Sequence, residues 1–313
     1  GIADDAVGEG AEQGLGIVFP YKLATSTDAA KGLRATPILD RIEIDAAIAA
    51  IPGEKLGADD VPDLLVVSLS AHDYVGHNWG QESWEMLEHE RALDRELGRL
   101  FAALDEQVGH DRYAVVLTSD HGATPVIERG RYPGARRIPP AELETAAEEG
   151  AATVLGAGDW VASISSGMVY LSPAAAARAP AERDAALAAI SARLATVPNV
   201  ARVVALDPLP ATCAGLDDIA TRACFSRVSG ETGELLVVPT EGSLVTTYTT
   251  GTSHDAPSDD TRYVPLIIRA PGRALTPADP VSILSVAPTV SALLGISPPP
   301  AAKAPSLVPP RAP

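Results

Sequence analysis

The chain has 313 residues, of which 46% are hydrophobic and 21% charged, as in an ordinary globular protein. It carries 24 lysines and arginines against 41 aspartates and glutamates, which gives a formal net charge of −17. Such a surface repels nucleic acids and anionic membranes, so a basic binding module is disfavoured and no nucleic-acid partner is expected. No apolar run approaches the roughly 18–20 residues of a membrane-spanning helix, so no membrane span is predicted.

The predicted elements begin after an irregular segment, residues 1–36. Apolar residues recur with helical spacing from Pro37 to Ile51, which predicts an amphipathic helix. Residues 64–70, LLVVSLS, form an apolar run typical of a buried strand in a parallel sheet. A loop, AHDYVGHNWGQ, leads to the clearest helix, residues 84–108, with Ser83 as its N-cap.

A second buried strand is predicted at residues 113–118, and it ends in the sequence SDHG. With the preceding strand and helix it makes a strand–helix–strand unit, the building block of a parallel sheet. Ligands of such sheets collect beyond the carboxyl ends of the strands. The remaining predictions are strands at 160–172, 200–206, 234–239 and 264–270, helices at 174–196 and 281–295, and an irregular stretch at 207–233.

Three of the six histidines lie in predicted loops beside carboxylates or turn residues: His77 in DYVGH, His121 in SDHG and His254 in GTSHD. With Asp73 and Asp120 they make a nitrogen and oxygen ligand set suited to zinc, manganese or a similar divalent ion. Asp73 and His77 are four residues apart and face one ion if the loop turns helically. Asp120 and His121 are adjacent, so they either serve two ions or one orients the other. We interpret His89 and His110 as structural, and His72 as structural or as support for Asp73.

The segments VSLSAHDYVGH, LTSDHG and GTSHD followed by VPLIIRAPG resemble the alkaline phosphatase superfamily. They are most similar to bacterial alkaline phosphatases related to type I phosphodiesterase/nucleotide pyrophosphatases, and the resemblance covers roughly residues 37–296. It implies an α/β/α sandwich with a mostly parallel central sheet, incomplete at its N-terminus. The implied organisation is an irregular segment 1–36, a domain 37–296 with a smaller inserted region at about 123–240, and a disordered Pro-rich tail 297–313.

The resemblance also implies two zinc ions at the carboxyl end of the sheet. It assigns one ion to Asp73, His77 and His254, and the other to Asp120 and His121 with an upstream Asp and the nucleophile. The nucleophile of the family is a Thr or Ser that attacks phosphorus and forms a covalent phospho-enzyme. Paired ions suit this chemistry because they neutralise the charge of the transferring group.

The nucleophile is not found in this chain. The family places it, an upstream metal-binding Asp and its phosphate-contacting Lys or Arg groups before the first metal motif, and residues 1–72 contain no strand that fits. Asp4 and Asp5 follow no hydrophobic strand. We therefore expect the chain to be the C-terminal portion of a longer enzyme, weakly active or inactive alone. The residues considered and set aside are Thr25, Ser26, Thr27, Lys31, Arg34 and Thr36.

The expected function is phosphomonoester hydrolysis by the intact enzyme, with small-molecule phosphate esters as substrates. Phosphodiester or nucleotide pyrophosphate hydrolysis and an inactive metal-binding fragment or pseudoenzyme stay open as alternatives. A sulfatase is not favoured, because Cys213 and Cys224 fit no formylglycine motif. A cofactor-independent phosphomutase would be distinguished from a phosphatase by the identity of its metal. The family is typically exported, which implies a periplasmic or secreted protein. The two cysteines are either bridged or free.

Overall fold

The computed structural model of the chain describes residues 4–10, 14–26, 28–206, 213, 217–228, 230–275 and 280–309. The helices in these residues are α1 (Ala29–Arg34), α2 (Pro37–Gly53), α3 (Ala71–Trp79), α4 (Trp84–Gln107), α5 (Pro140–Leu155), α6 (Pro173–Ala176), α7 (Pro180–Leu194), α8 (Asp218–Phe225), α9 (Asp259–Arg262) and α10 (Val286–Leu294). The strands are β1 (Val115–Thr118), β2 (Arg137–Ile138), β3 (Val161–Ser165), β4 (Met168–Leu171), β5 (Val200–Ala205), β6 (Leu235–Pro239), β7 (Leu244–Val245) and β8 (Leu266–Arg269).

The chain divides into two compact units, each described separately below. The first unit consists of Gly1–Gly10, His77–Gln81 and His121–Tyr263. The second unit consists of Ala11–Gly76, Glu82–Asp120 and Val264–Pro313. None of the helices among the described residues combines the length and the apolar character that crossing a bilayer needs.

The first unit is built on an antiparallel sheet with the strand order β3-β4-β6-β5. Helices α5 and α7 pack against each other and against this sheet. The shared core is fully apolar, and it includes Leu143, Val169, Ile190, Leu194 and Leu235. Burial of these side chains is the main driving force for folding of the unit.

A hairpin replaces the single strand predicted for residues 160–172. Ser166 and Gly167, between β3 and β4, both have positive φ angles, 47° and 76°. A two-residue turn of this kind matches the right-handed twist of the strands that it joins. Similarly, Pro180 divides the predicted helix 174–196 into α6 and α7, because proline suits the first turn of a helix and not its interior.

Helix α8 lies in the stretch predicted to be irregular, residues 207–233. It begins after Asp217, whose side chain accepts the Ala220 N–H. Cys224 in α8 is bridged to Cys213, with 5.7 Å between the Cα atoms, so the question left open by the sequence is answered by a disulfide. Residues 207–212, 214–216 and 229 lie outside the described residues.

The second unit contains the predicted helices α2 and α4, which pack against each other. Ile44, Ile51 and Leu100 are buried between them. The predicted N-cap of α4 is confirmed, because the Ser83 side chain accepts the Met86 N–H. Satisfying one of the otherwise unpaired amides of the first turn stabilises such a helix by about 1 kcal/mol.

The predicted strand at residues 64–70 is wrong for the described residues, where this segment belongs to no ladder. Leu64 and Val66 are 58% and 78% exposed. Val67 and Leu69 on the other side of the segment pack against the core between α2 and α4. No described strand pairs with its edges, and a buried parallel strand needs such partners as well as covered faces. The predicted strand 113–118 is confirmed in β1, which pairs with β8 in antiparallel orientation. Parallel pairing is seen between β2 and β7, so the ladders of the described residues are not the mostly parallel set that was expected.

Parts of both terminal segments that the structure describes form contacts that were not expected. Helix α1 falls within the segment predicted to be irregular, and its N-cap Asp28 accepts the Lys31 N–H. Leu307 and Val308, in the Pro-rich segment expected to be disordered, are buried. The Leu307 N–H donates to the Thr289 hydroxyl of α10 at 2.9 Å, and this bond and the apolar contacts hold the segment. Residues 310–313 lie outside the described residues.

Candidate metal centre

Helix α3 carries the first motif, in the segment predicted to be a loop. Ala71, Val75 and Trp79 recur every fourth residue and are buried, so they form the apolar stripe that anchors the helix. Asp73 and His77 lie one turn apart on the opposite face. The sequence analysis expected Asp73 and His77 to face one ion if this segment turns helically. The segment is a helix, so that condition is met.

His77 is held by the backbone of Thr252 at two points. Its Nδ1 lies 2.7 Å from the Thr252 carbonyl oxygen, and the Thr252 N–H donates to the His77 carbonyl at 2.8 Å. A carbonyl oxygen only accepts, so Nδ1 carries the proton and Nε2 presents its lone pair. This is the arrangement in which metal-binding histidines are usually held.

The loop that carries His254 is fastened by its neighbours in the first unit. Thr124 N–H donates to the Ser253 carbonyl at 3.1 Å, and the Thr252 hydroxyl donates to the Thr124 carbonyl. Gly251 has φ +67°, and a Cβ there would lie 2.0 Å from the His77 carbonyl oxygen. The loop therefore approaches α3 so closely that only glycine fits at this position.

Ligand atoms of the first predicted set lie close together in two pairs. On α3, those of Asp73 and His77 are within 4.8 Å of each other, and those of His77 and His254 are also within 4.8 Å. The ring centroids of the two histidines are 5.1 Å apart. Each of the three side chains is partly buried. A group of one carboxylate and two imidazoles fits zinc and leaves a coordination position open, as in catalytic zinc sites.

The second motif, SDHG, contacts the GTSHD motif through His121. Its ring stacks on His254, with centroids 3.5 Å apart and an interplanar angle of 15°. Its Nδ1 donates to the Gly122 carbonyl at 2.8 Å, so Nε2 is again the available nitrogen. Asp120, at the end of the chain segment that follows β1, is exposed. Among the described residues, neither Asp120 nor His121 belongs to a group of three candidate ligands.

Two arginines of the first unit hold the backbone around the site. Arg137 donates to the Gly251 carbonyl at 2.7 Å and forms a two-pronged pair with Glu128. Burial opposes ionisation of Glu128, but the hydrogen bonds and charge of Arg137 prevail and hold its pKa below the ordinary value. Arg129 donates to the Trp79 carbonyl at the end of α3, at 2.7 Å, and to Glu9. A cation at a helix C-terminus also interacts favourably with the helix dipole.

A cavity of about 270 Å³ lies in the first unit beside His254. Its walls are largely apolar, and Arg222 contributes a guanidinium whose Nη1 donates to the Pro257 carbonyl at 3.1 Å. The cavity therefore offers apolar contact next to a predicted metal ligand. The apolar side chains that line it include Met168, Leu206, Ile219, Ala223 and Leu236.

The residues set aside as nucleophiles have local roles where they are described. Ser26 Oγ accepts the Asp28 N–H, and the Thr36 hydroxyl donates to the Leu33 carbonyl. Thr27 and the side chain of Thr25 lie outside the described residues. The sequence analysis did not identify the supporting groups Thr252, Arg129 and Arg137. Their contacts are with residues distant in the sequence, and nothing in the adjacent sequence indicates such contacts.

The fold and this ligand set define the class of protein, an α/β protein of the alkaline phosphatase superfamily. Residues 21–263 match the model of the type I phosphodiesterase/nucleotide pyrophosphatase family, and the chain belongs to this family. The resemblance stated from the motifs is thereby confirmed.

Several relatives of this chain carry the name alkaline phosphatase. It is 31% identical to alkaline phosphatase PafA of Elizabethkingia meningoseptica over 89% of this chain and 52% of that protein. It is 32% identical to alkaline phosphatase PhoD of Zymomonas mobilis over 85% of this chain and 48% of that protein. The structure superposes on a crystal structure of a PafA variant with a TM-score of 0.84 and 28% identity, covering 98% of this chain and 59% of the other. The expected alkaline-phosphatase-like α/β fold is thus confirmed, and the chain spans about half the length of its curated relatives.

Proposed function

We propose that this chain supplies metal ligands to a phosphate ester hydrolase that acts on phosphomonoesters. The observation that carries the proposal is that a ligand atom of His77 lies within 4.8 Å of one of Asp73, on the same helix, and of one of His254. The Nδ1–H of His77 is directed at the Thr252 carbonyl. The family match and the relatives named alkaline phosphatase support the reaction class. Activity belongs to the whole protein, with a Thr or Ser nucleophile that we place outside this chain.

Two zinc ions are proposed for the intact site. Asp73, His77 and His254 would hold one, and Asp120 and His121 would contribute to the other. When bound, such ions neutralise charge on the transferring phosphoryl group and favour the ionised form of an oxygen nucleophile. The chain's own contribution is to keep the ligands in place: Thr252 orients the His77 ring, and Gly251 admits the loop that carries His254.

Phosphodiester or nucleotide pyrophosphate hydrolysis is the second candidate, because the matched family is named for that activity. An inactive metal-binding fragment is the third, since the described residues contain no group that we can assign as nucleophile. A periplasmic or secreted location is proposed from the relatives, and the Cys213–Cys224 bridge is consistent with an oxidising compartment.

The first test is zinc stoichiometry of the purified chain after loading and dialysis. We expect one tightly held ion in the wild-type chain and its loss in Asp73→Ala and in His254→Ala. Asp111→Ala and His110→Ala are matched controls, because both side chains are exposed, and each should keep the ion. A folded wild-type chain without zinc would contradict the proposal.

The second test compares hydrolysis of p-nitrophenyl phosphate with that of bis(p-nitrophenyl) phosphate. It uses the chain alone and the chain joined to the preceding residues of its gene. Monoester turnover that needs the longer form supports the main proposal. A preference for the diester supports the second candidate, and no turnover by either form supports the inactive fragment.

A further inference from the structure

Helices α2 and α4 of the second unit hold a buried pair of titratable side chains that the proposed chemistry does not use. The pair also contacts the start of α3. Asp40 of α2 and His89 of α4 are each 1% exposed. His89 Nε2 lies 3.1 Å from Asp40 Oδ2. The 3.1 Å contact does not have the geometry of a hydrogen bond, and among the described residues neither ring nitrogen of His89 nor Oδ2 of Asp40 makes one. Burying polar groups this completely costs folding free energy, and an apolar pair would pack here at lower cost.

The other oxygen of Asp40 is directed to the start of α3. Its Oδ1 accepts the N–H of Ala71, the first residue of that helix, at 3.3 Å. Glu43, one turn along α2, accepts the Ser70 N–H at 3.4 Å. The first amides of a helix have no partner within the helix, and carboxylates are the acceptors that suit them best. The start of α3 is therefore held by α2.

The ligand Asp73 lies in the same turn, two residues after Ala71. Fraying of this turn would move the Asp73 carboxylate, whereas His77, one turn further on, is held by Thr252. The bond at the Ala71 amide thus acts on the turn that carries the ligand Asp73. From the side of α4, His89 packs against the carboxylate of Asp40, with Nε2 within ion-pair distance of Oδ2.

We propose that Asp40 is a positioning residue of the metal centre, which acts through the Ala71 amide to hold the carboxylate of Asp73, with His89 as its support. This inference rests on the proposed metal-binding function of Asp73. It explains why a polar pair is kept in a buried position between α2 and α4.

The test measures the zinc dissociation constant of the full chain by competition with a chelator. Asp40→Ala removes the acceptor, whereas Asp40→Asn keeps an oxygen that can accept the Ala71 N–H. We expect Asp40→Ala to weaken zinc binding by about tenfold or more, the usual effect of losing a group that orients a ligand, and Asp40→Asn to restore most of it. Asp45→Asn is the control, because Asp45 lies on the same helix in an exposed ion pair with Arg99.

Hydrogen exchange separates positioning from general stability. In the zinc-free chain, Asp40→Ala should accelerate exchange of the Ala71 amide and leave the amide of Leu100 in α4 unchanged. Should Asp40→Ala not fold, slow exchange at Ala71 in the wild type and in Asp40→Asn is the expected result, and rapid exchange there would overturn the inference. Zinc affinity in Asp40→Ala within about twofold of wild type would also overturn it. A wild-type chain that binds no zinc would instead contradict the proposed function itself.

Discussion

The rings of His121 and His254 stack face to face, with centroids 3.5 Å apart. This contact joins two motifs that are far apart in the sequence, one following β1 and the other preceding α9. Each of the two residues is assigned to a different ion in the proposed site. The proposed assignment would therefore place the two ions close together, as they are in two-metal sites that act on phosphate esters.

The first prediction concerns the independence of the two sets of ligands. His121→Ala should leave one zinc bound, because His121 stacks on His254 without belonging to its group of candidate ligands. His77→Ala should abolish that ion. The measurement is zinc content and affinity of both variants. Equal losses would show that the two sets form a single site.

The second prediction concerns the nitrogen atoms that bind metal. Because Nδ1 of His77 and Nδ1 of His121 each face a carbonyl oxygen, the proton of each neutral ring should reside on Nδ1. Nitrogen-15 spectra of the zinc-free chain should show this tautomer, and zinc should shift the Nε2 resonance of His77. A shift confined to Nδ1 would contradict the described orientation.

The third prediction concerns acid stability and the pair formed by Glu128 and Arg137. The folded-state pKa of Glu128 is lowered from 4.5, so its contribution to stability is complete above that pH and disappears as the pH falls through the lower folded value. Glu128→Gln should reduce the free energy of unfolding by about 1 kcal/mol at pH 7, allowing for partial exposure, and by less in acid. Urea unfolding at several pH values measures this.

The control for that experiment is Glu88→Gln, since Glu88 forms an exposed pair with Arg91 on α4. We expect no measurable effect there, because exposed pairs within one helix contribute little. A Glu128 variant whose deficit grows as the pH falls would have the wrong sign and would contradict the assignment.

The fourth prediction concerns the bridge between Cys213 and Cys224. Closing a loop of 11 residues restricts the unfolded chain, and the chain-entropy relation gives about 2–3 kcal/mol of stabilisation. The double variant Cys213→Ser, Cys224→Ser should unfold at lower urea concentration than the oxidised wild type, and reducing agent should affect only the wild type. Identical unfolding of oxidised and reduced wild type would argue against the bridge.

The sequence predicted those elements whose determinants are local. Helix α4 has its cap at Ser83 and its apolar residues at helical spacing, so its start and end were predicted to within a residue or two. The strand expected at residues 64–70 failed, because an apolar run becomes a strand only where partners pair with it. The turn at Ser166 and Gly167 was overlooked although both residue types suit it.

The candidate metal ligands could be predicted from the sequence for a different reason. Asp73 and His77 are spaced by one helical turn. The motif around His121 comes directly after the apolar run at residues 113–118, which predicts a strand. That His254 would meet His77 came from resemblance to a family, since no local signal connects them. The groups that hold the ligands, such as Asp40 and Arg129, could not be found this way because their roles arise from contacts between distant segments.

Gly251 has a consequence for how the chain tolerates substitution. Its positive φ and the 2.0 Å approach of a Cβ to the His77 carbonyl leave no room for any side chain. In a saturation library selected for zinc retention, position 251 should accept glycine alone, while the exposed neighbour Asp255 should accept many residues. Selection for zinc binding would then remove every substitution at a residue that does not itself contact the ion.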